Sequence, residues 1–110
     1  MSQASLAQAR QIASKMADVI VDAARPRRVI LFGSQSRGDA GVDSDFDLMV
    51  VEAAPADRHK EMVRLRRLLR AFEVPIDVLV VSEDRFDYWR DTPGNVYYEA
   101  ATDGLVLYEA

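Results

Sequence analysis

The pair Gly33-Ser34 is followed, after ten residues, by Asp45-Phe46-Asp47, and a third acid, Asp77, heads a later apolar run from Ile76 to Val81. These residue types suit chemistry at phosphorus. Residues two apart in a strand point to the same face, about 6.6 Å apart along the chain, so Asp45 and Asp47 can converge on cations between them. Two-metal sites hold ions roughly 3.5–4 Å apart, where they clamp the attacking and departing oxygens of an in-line displacement. Magnesium takes few carboxylates and completes its shell with substrate phosphates and water. Asp77 completes the set if its strand lies beside that of Asp47, as a metal ligand and as the base that takes the nucleophile's proton.

The turn supplies the other half of such a site. Gly33 lets backbone approach phosphate oxygens, and Ser34 can offer both its amide and its hydroxyl. Arg37 is the nearest cation and can hold an outer phosphate, while Ser44 can bond phosphate or shape the strand entrance. Gly-Ser pairs also make ordinary turns, and acids often end strands at the surface. Asp47 is different, because it lies inside an apolar run where an unpaired charge is costly. Other phosphate motifs fail: there is no Gly-Lys-Ser/Thr, and glycines 33, 38 and 41 miss the dinucleotide-fingerprint spacing. The reading is metal-dependent transfer of a nucleotidyl group.

The surrounding pattern must position these residues. Ser5 to Gln8 fits a capping box, and Leu6, Ala9, Ile12, Ala13, Met16, Val19 and Ile20 recur at helical spacing until Arg25-Pro26. Val29 to Phe32 and Phe46 to Val51 read as buried strands around a turn that has room for one helical turn. Asp57 can cap a basic helix with Met62, Leu65, Leu68, Leu69 and Phe72 as its apolar stripe. Ile76 to Val81 is a third strand, Ser82 opens a short helix through Trp89, and Thr92-Pro93 signals another that ends near Asp103. Leu105 to Tyr108 is a fourth strand or an edge segment. The order predicts a small α/β (α+β) sheet of three to four strands, with helices mainly on one side.

Composition narrows the class. The chain has 110 residues, room for one domain and one core. Its net charge of −4 argues against a dedicated nucleic-acid binder. The absence of cysteine removes disulfides, thiolate metal sites and cysteine nucleophiles. No apolar run approaches the roughly 18 residues of a membrane span, and no signal peptide is apparent, so a cytoplasmic location is expected. Arg58, His59, Lys60, Arg64, Arg66, Arg67 and Arg70 make one helix basic, as a solvated face or a dock for an acidic partner. Phe86, Tyr88, Trp89, Tyr97 and Tyr98 are core or partner surface.

Gly33-Ser34-Gln35-Ser36-Arg37-Gly38 followed by Ser44-Asp45-Phe46-Asp47-Leu48 resembles the signature of minimal nucleotidyltransferases of the DNA polymerase β superfamily, and Asp77 matches that superfamily's third carboxylate. The resemblance covers roughly residues 28–82. It implies a mixed β-sheet flanked by helices and two Mg²⁺ ions, with transfer of a nucleoside monophosphate and release of pyrophosphate. By that match Asp45, Asp47 and Asp77 bind metal, Asp77 activates the acceptor, and Gly33 and Ser34 hold the triphosphate. Residues 1–110 are then expected to form a single minimal nucleotidyltransferase domain. Larger relatives use further segments to grip base and acceptor. Stand-alone chains of this size resemble the antitoxin half of MNT–HEPN toxin–antitoxin pairs, in which AMP from ATP is placed on a tyrosine of the partner HEPN ribonuclease. The alternatives are an antitoxin that neutralises by binding alone and a transferase acting on an aminoglycoside-type small molecule. Whether the chain is a homo-oligomer stays open.

Overall fold

The computed structural model describes residues 3–37 and 45–110, with the side chains of all of these except residues 3–6, 34 and 37. The N-terminal amphipathic segment forms α1 (Gln3–Ala24). It starts two residues before the expected cap, so Ser5 lies inside the helix; helix-tolerant Gln3 and Ala4 carry it past the box. Arg25, at φ 46°, turns the chain out of the helix ahead of Pro26. Then come β1 (Arg28–Phe32), a single helical turn α2 (Ser34–Arg37), and β2 (Phe46–Glu52). A basic helix α3 (Arg58–Leu68) continues as a 3-10 turn, Leu69–Phe72, into β3 (Ile76–Ser82). Two short helices, α4 (Glu83–Trp89) and α5 (Val96–Asp103), lead to β4 (Leu105–Glu109).

The strands form one mixed sheet in the order β3-β2-β1-β4. β1 runs antiparallel to both β2 and β4, whereas β2 and β3 are parallel and joined by the α3 crossover. Alternation along the strands builds two apolar layers. Val29, Leu31, Leu48, Val50, Val78 and Val80 pack against Ala13, Met16 and Ile20 of α1 and Leu65 and Leu69 beyond. Ile30, Met49, Val51 and Val81 pack against Phe86 of α4 and Ala100 of α5. Helices therefore cover both faces, the long pair on one and the short pair on the other, rather than mainly one side. β2 reads as a continuous apolar run because both of its faces are covered.

Three caps control the helix starts. Lys60 N donates to Asp57 Oδ1 at 3.0 Å, Arg85 N donates to Ser82 Oγ at 3.2 Å, and Tyr98 N donates to Asn95 Oδ1 at 2.9 Å. The last corrects the expectation of Thr92 as cap. Thr92 and Pro93 instead belong to a turn, with Gly94 at φ 95° and Asn95 Nδ2 donating to Thr92 O at 2.6 Å. Leu68 also departs from the expected stripe, at 43% exposed, while Leu65 and Leu69, four residues apart on one face, are buried as expected. Among the described residues no helix is long and apolar enough to cross a membrane.

At the far end of β2 a carboxyl pair joins three elements. Glu52 stands beside Glu61, which accepts from Arg64 Nε at 2.7 Å, and Arg64 donates to Ala23 O of α1 at 3.3 Å. Burial, aided by Glu61, pushes the Glu52 carboxyl up to about 7, whereas Arg64 holds Glu61 below the ordinary range. A raised acid contributes stability that is complete below its unfolded value of 4.5 and is lost as pH rises to about 7. Glu52→Gln keeps a hydrogen-bonding group without the charge. It should raise the unfolding temperature by a few degrees at pH 8 and by much less at pH 5. An equal gain at both values would refute the raised Glu52 carboxyl.

Candidate active site

The parallel register makes Asp47 and Asp77 direct partners across β2 and β3. Neighbouring strands lie about 4.8 Å apart. Asp47 continues the face of Met49 and Val51, and Asp77 that of Leu79 and Val81, so both carboxylates open on the α4–α5 side of the sheet. Asp45 is exposed and stands one residue before the strand begins. Phe46 N donates to Pro75 O at 2.9 Å, which ties the two strand entrances together and holds the acids in place.

On the other side Asp47 faces Phe32 of β1, and the chain then turns at Gly33 with φ 75°. A Cβ on Gly33 would stand 2.5 Å from Asp47 Oδ2. The phosphate-type turn and the central carboxylate therefore touch, and a side chain at residue 33 would force that carboxylate to move. The turn is pinned from behind. Ser36 donates from N and Oγ to Gly33 O at 3.2 and 2.9 Å, and its Oγ also reaches Asp103 O at 3.3 Å, at the end of α5. Ser34 opens α2 next to Gly33. The side chains of Ser34 and Arg37, and all of Ser44, lie outside the described residues.

Burial, then Asp77, Asp45 and Glu99, holds the Asp47 carboxyl above the usual carboxylate range. Glu99, in the first turn of α5, was not anticipated from sequence. An acid there is commonplace for helix reasons alone, and only the tertiary packing brings it to Asp47. Arg66 of α3 is the second residue missed as a participant. Its Nη2 lies 2.6 Å from Asp77 Oδ1, with the side chains 51% and 59% exposed. Ion pairs that open to water are worth roughly 0–1 kcal/mol, so this contact does not lock Asp77 away.

Among the described residues no three acids or histidines stand close enough to hold an ion by themselves. Magnesium seeks one or two carboxylates plus phosphate oxygens and water, and Asp45 and Asp47 beside the Gly33 turn offer that hard-oxygen set. The raised Asp47 carboxyl points the same way, since a cluster of like charges is relieved by a cation. His59 sits exposed at the start of α3, on the opposite face of the sheet, away from this cluster.

A family model described as nucleotidyltransferase domain matches residues 13–103, a span that contains Gly33, Asp45, Asp47, Asp77 and Glu99. The chain belongs to the nucleotidyltransferase domain family. It is 31% identical over 84 residues to a candidate protein adenylyltransferase of Methanocaldococcus jannaschii, covering 76% of this chain and 80% of that protein. Its fold is shared with a candidate nucleotidyltransferase from Sulfolobus solfataricus, at TM-score 0.68 and 19% identity over 96% of this chain and 84% of the other. A toxin–antitoxin complex with AMP-PNP is also similar, at TM-score 0.63 and 20% identity over 88% and 73%. A mutant MntA–HpeT toxin–antitoxin complex aligns at TM-score 0.63 and 19% identity over 87% and 72%. This nucleotidyltransferase thus has the mixed, helix-flanked sheet expected from its sequence.

Proposed function

We propose that this nucleotidyltransferase moves AMP from ATP to a tyrosine of a partner HEPN-domain ribonuclease and thereby acts as the antitoxin. The observation that carries the reading is the in-register pair Asp47–Asp77 with the Asp47 carboxylate against Gly33. Asp45 and Asp47 would hold magnesium, which when bound supplies the positive charge that offsets the triphosphate and polarises its α-phosphorus. Gly33 leaves the backbone open to the phosphates, with Ser34, Arg37 and Ser44 as their further partners. Asp77, exposed at the sheet edge, takes the hydroxyl proton as the acceptor oxygen bonds to the α-phosphorus. The bond to the β-phosphate breaks, and pyrophosphate leaves.

Support for a protein acceptor comes from the relative described as a protein adenylyltransferase, and support for a toxin partner from the two toxin–antitoxin complexes. The test is intact-mass analysis after incubation with ATP, Mg²⁺ and the proposed HEPN-domain ribonuclease partner. One or more AMP units should appear on a tyrosine as ribonuclease activity falls. Neutralisation without added mass would reject catalysis in favour of binding alone.

A further inference from the structure

Around the edge of β3 from Asp77 lies a cavity of about 240 Å³ lined by Arg66, Leu69, Arg70, Val74 and Ile76. β3 is the outermost strand of the sheet. Ile76 precedes Asp77 and points to the opposite face, where Leu69 and Val74 pack with it as an apolar floor. Arg66 bridges the two faces: it lines the cavity, and its guanidinium reaches over the edge to Asp77 Oδ1 at 2.6 Å. Arg70 is exposed, and no ion pair engages it among the described residues. Residues 58–70 carry six lysines and arginines against one acid, in a chain whose net charge is −4. The positive charge is thus concentrated on the helix that borders the third carboxylate.

We propose that this edge cavity, with Arg66 and Arg70 at its rim, is the acceptor subsite, and that it takes an Asp or Glu lying beside the accepting hydroxyl on a protein segment. The proposal rests on the protein-transfer reading above and names the chemistry of its acceptor. A guanidinium fork matches a carboxylate in two parallel hydrogen bonds, and Arg66 already holds one carboxylate, that of Asp77. An arriving carboxylate substitutes for Asp77 as the partner of Arg66. The apolar floor of Leu69, Val74 and Ile76 takes the neighbouring side chain. A nucleic-acid occupant fits worse, because no aromatic ring lines the cavity for base stacking.

The experiment uses the full chain, isotopically labelled for amide spectra, and two short tyrosine peptides, one flanked by glutamates and the other by lysines. The glutamate peptide should shift the amides of Arg66, Arg70, Val74 and Ile76, and the lysine peptide should not. Arg70→Glu should weaken the glutamate peptide by about tenfold or more, and Arg70→Gln by less, the loss of one charged contact at a rim. Equal binding of both peptides, absence of shifts along the β3 edge, or unchanged affinity in Arg70→Glu would each overturn the subsite. So would a short single-stranded RNA that shifts the same amides more strongly than the glutamate peptide. A parallel titration with ATP and Mg²⁺ reports on Gly33 and Asp47. Failure there counts against nucleotidyl transfer itself, whereas failure of the peptide arm alone counts only against the acidic acceptor.

Discussion

Asp47→Asn is expected to lower AMP transfer about a thousandfold while making the metal-free protein harder to unfold. On the proposed mechanism, the first effect follows from the charge that magnesium would supply at phosphorus, worth several kcal/mol, with about 1.36 kcal/mol per decade of rate. Asparagine keeps the shape but loses the anionic ligand. The second effect follows from the neighbours. Asp47 is partly buried and faces Asp77, Asp45 and Glu99, which together hold its carboxyl above the ordinary range. Stability from such a raised group is complete below 3.8 and is lost as pH climbs through the higher folded value. At pH 7 the ionised side chain is therefore a liability that the amide removes. Pyrophosphate release measures the rate, and thermal unfolding in a chelator measures the stability. Adding Mg²⁺ should raise the unfolding temperature of the wild type and leave that of the variant nearly unmoved. A variant that unfolds more easily than the wild type in chelator at pH 7 would show that Asp47 is a structural residue.

Signals carried within a few residues of one another were legible in the sequence. Gly33-Ser34, the Asp45–Asp47 alternation and the position of Asp77 at a strand head depend on local periodicity, and strand register then placed Asp47 beside Asp77. The apolar runs of β1, β2 and β3 were legible for the same reason. What could not be read depends on which faces meet. Arg66 lies 11 residues before Asp77, on an element facing the other side of the sheet, and reaches it only because β3 is an edge. Glu99 approaches Asp47 only after α5 folds onto β1, and nothing in Val96–Asp103 marks that acid as special. The caps divide similarly. Asp57 and Ser82 follow plain rules, while Asn95 supersedes Thr92 because the intervening Pro93-Gly94 forms its own turn.

Gly33→Ala should cost catalysis far more than it costs folding. The left-handed conformation at φ 75° penalises any L side chain by roughly 1–2 kcal/mol, a modest share of a small domain's stability. The new methyl also meets Asp47 Oδ2 at 2.5 Å and Cγ at 3.4 Å. A carboxylate can swing aside, so the fold survives, but it swings away from the position that, on the proposed mechanism, would serve the phosphates and the ion. Misplacing a reacting group by about 1 Å costs on the order of a hundredfold, and that is the loss expected in kcat/KM. Gly94 provides the matched control. It has φ 95° with open space around it, so Gly94→Ala bears comparable backbone strain without touching a carboxylate. The two variants should unfold at similar temperatures yet differ in transfer rate by about two decades. If Gly94→Ala loses as much activity as Gly33→Ala, backbone strain alone explains both. The close approach of turn and carboxylate would then have no special part in the chemistry.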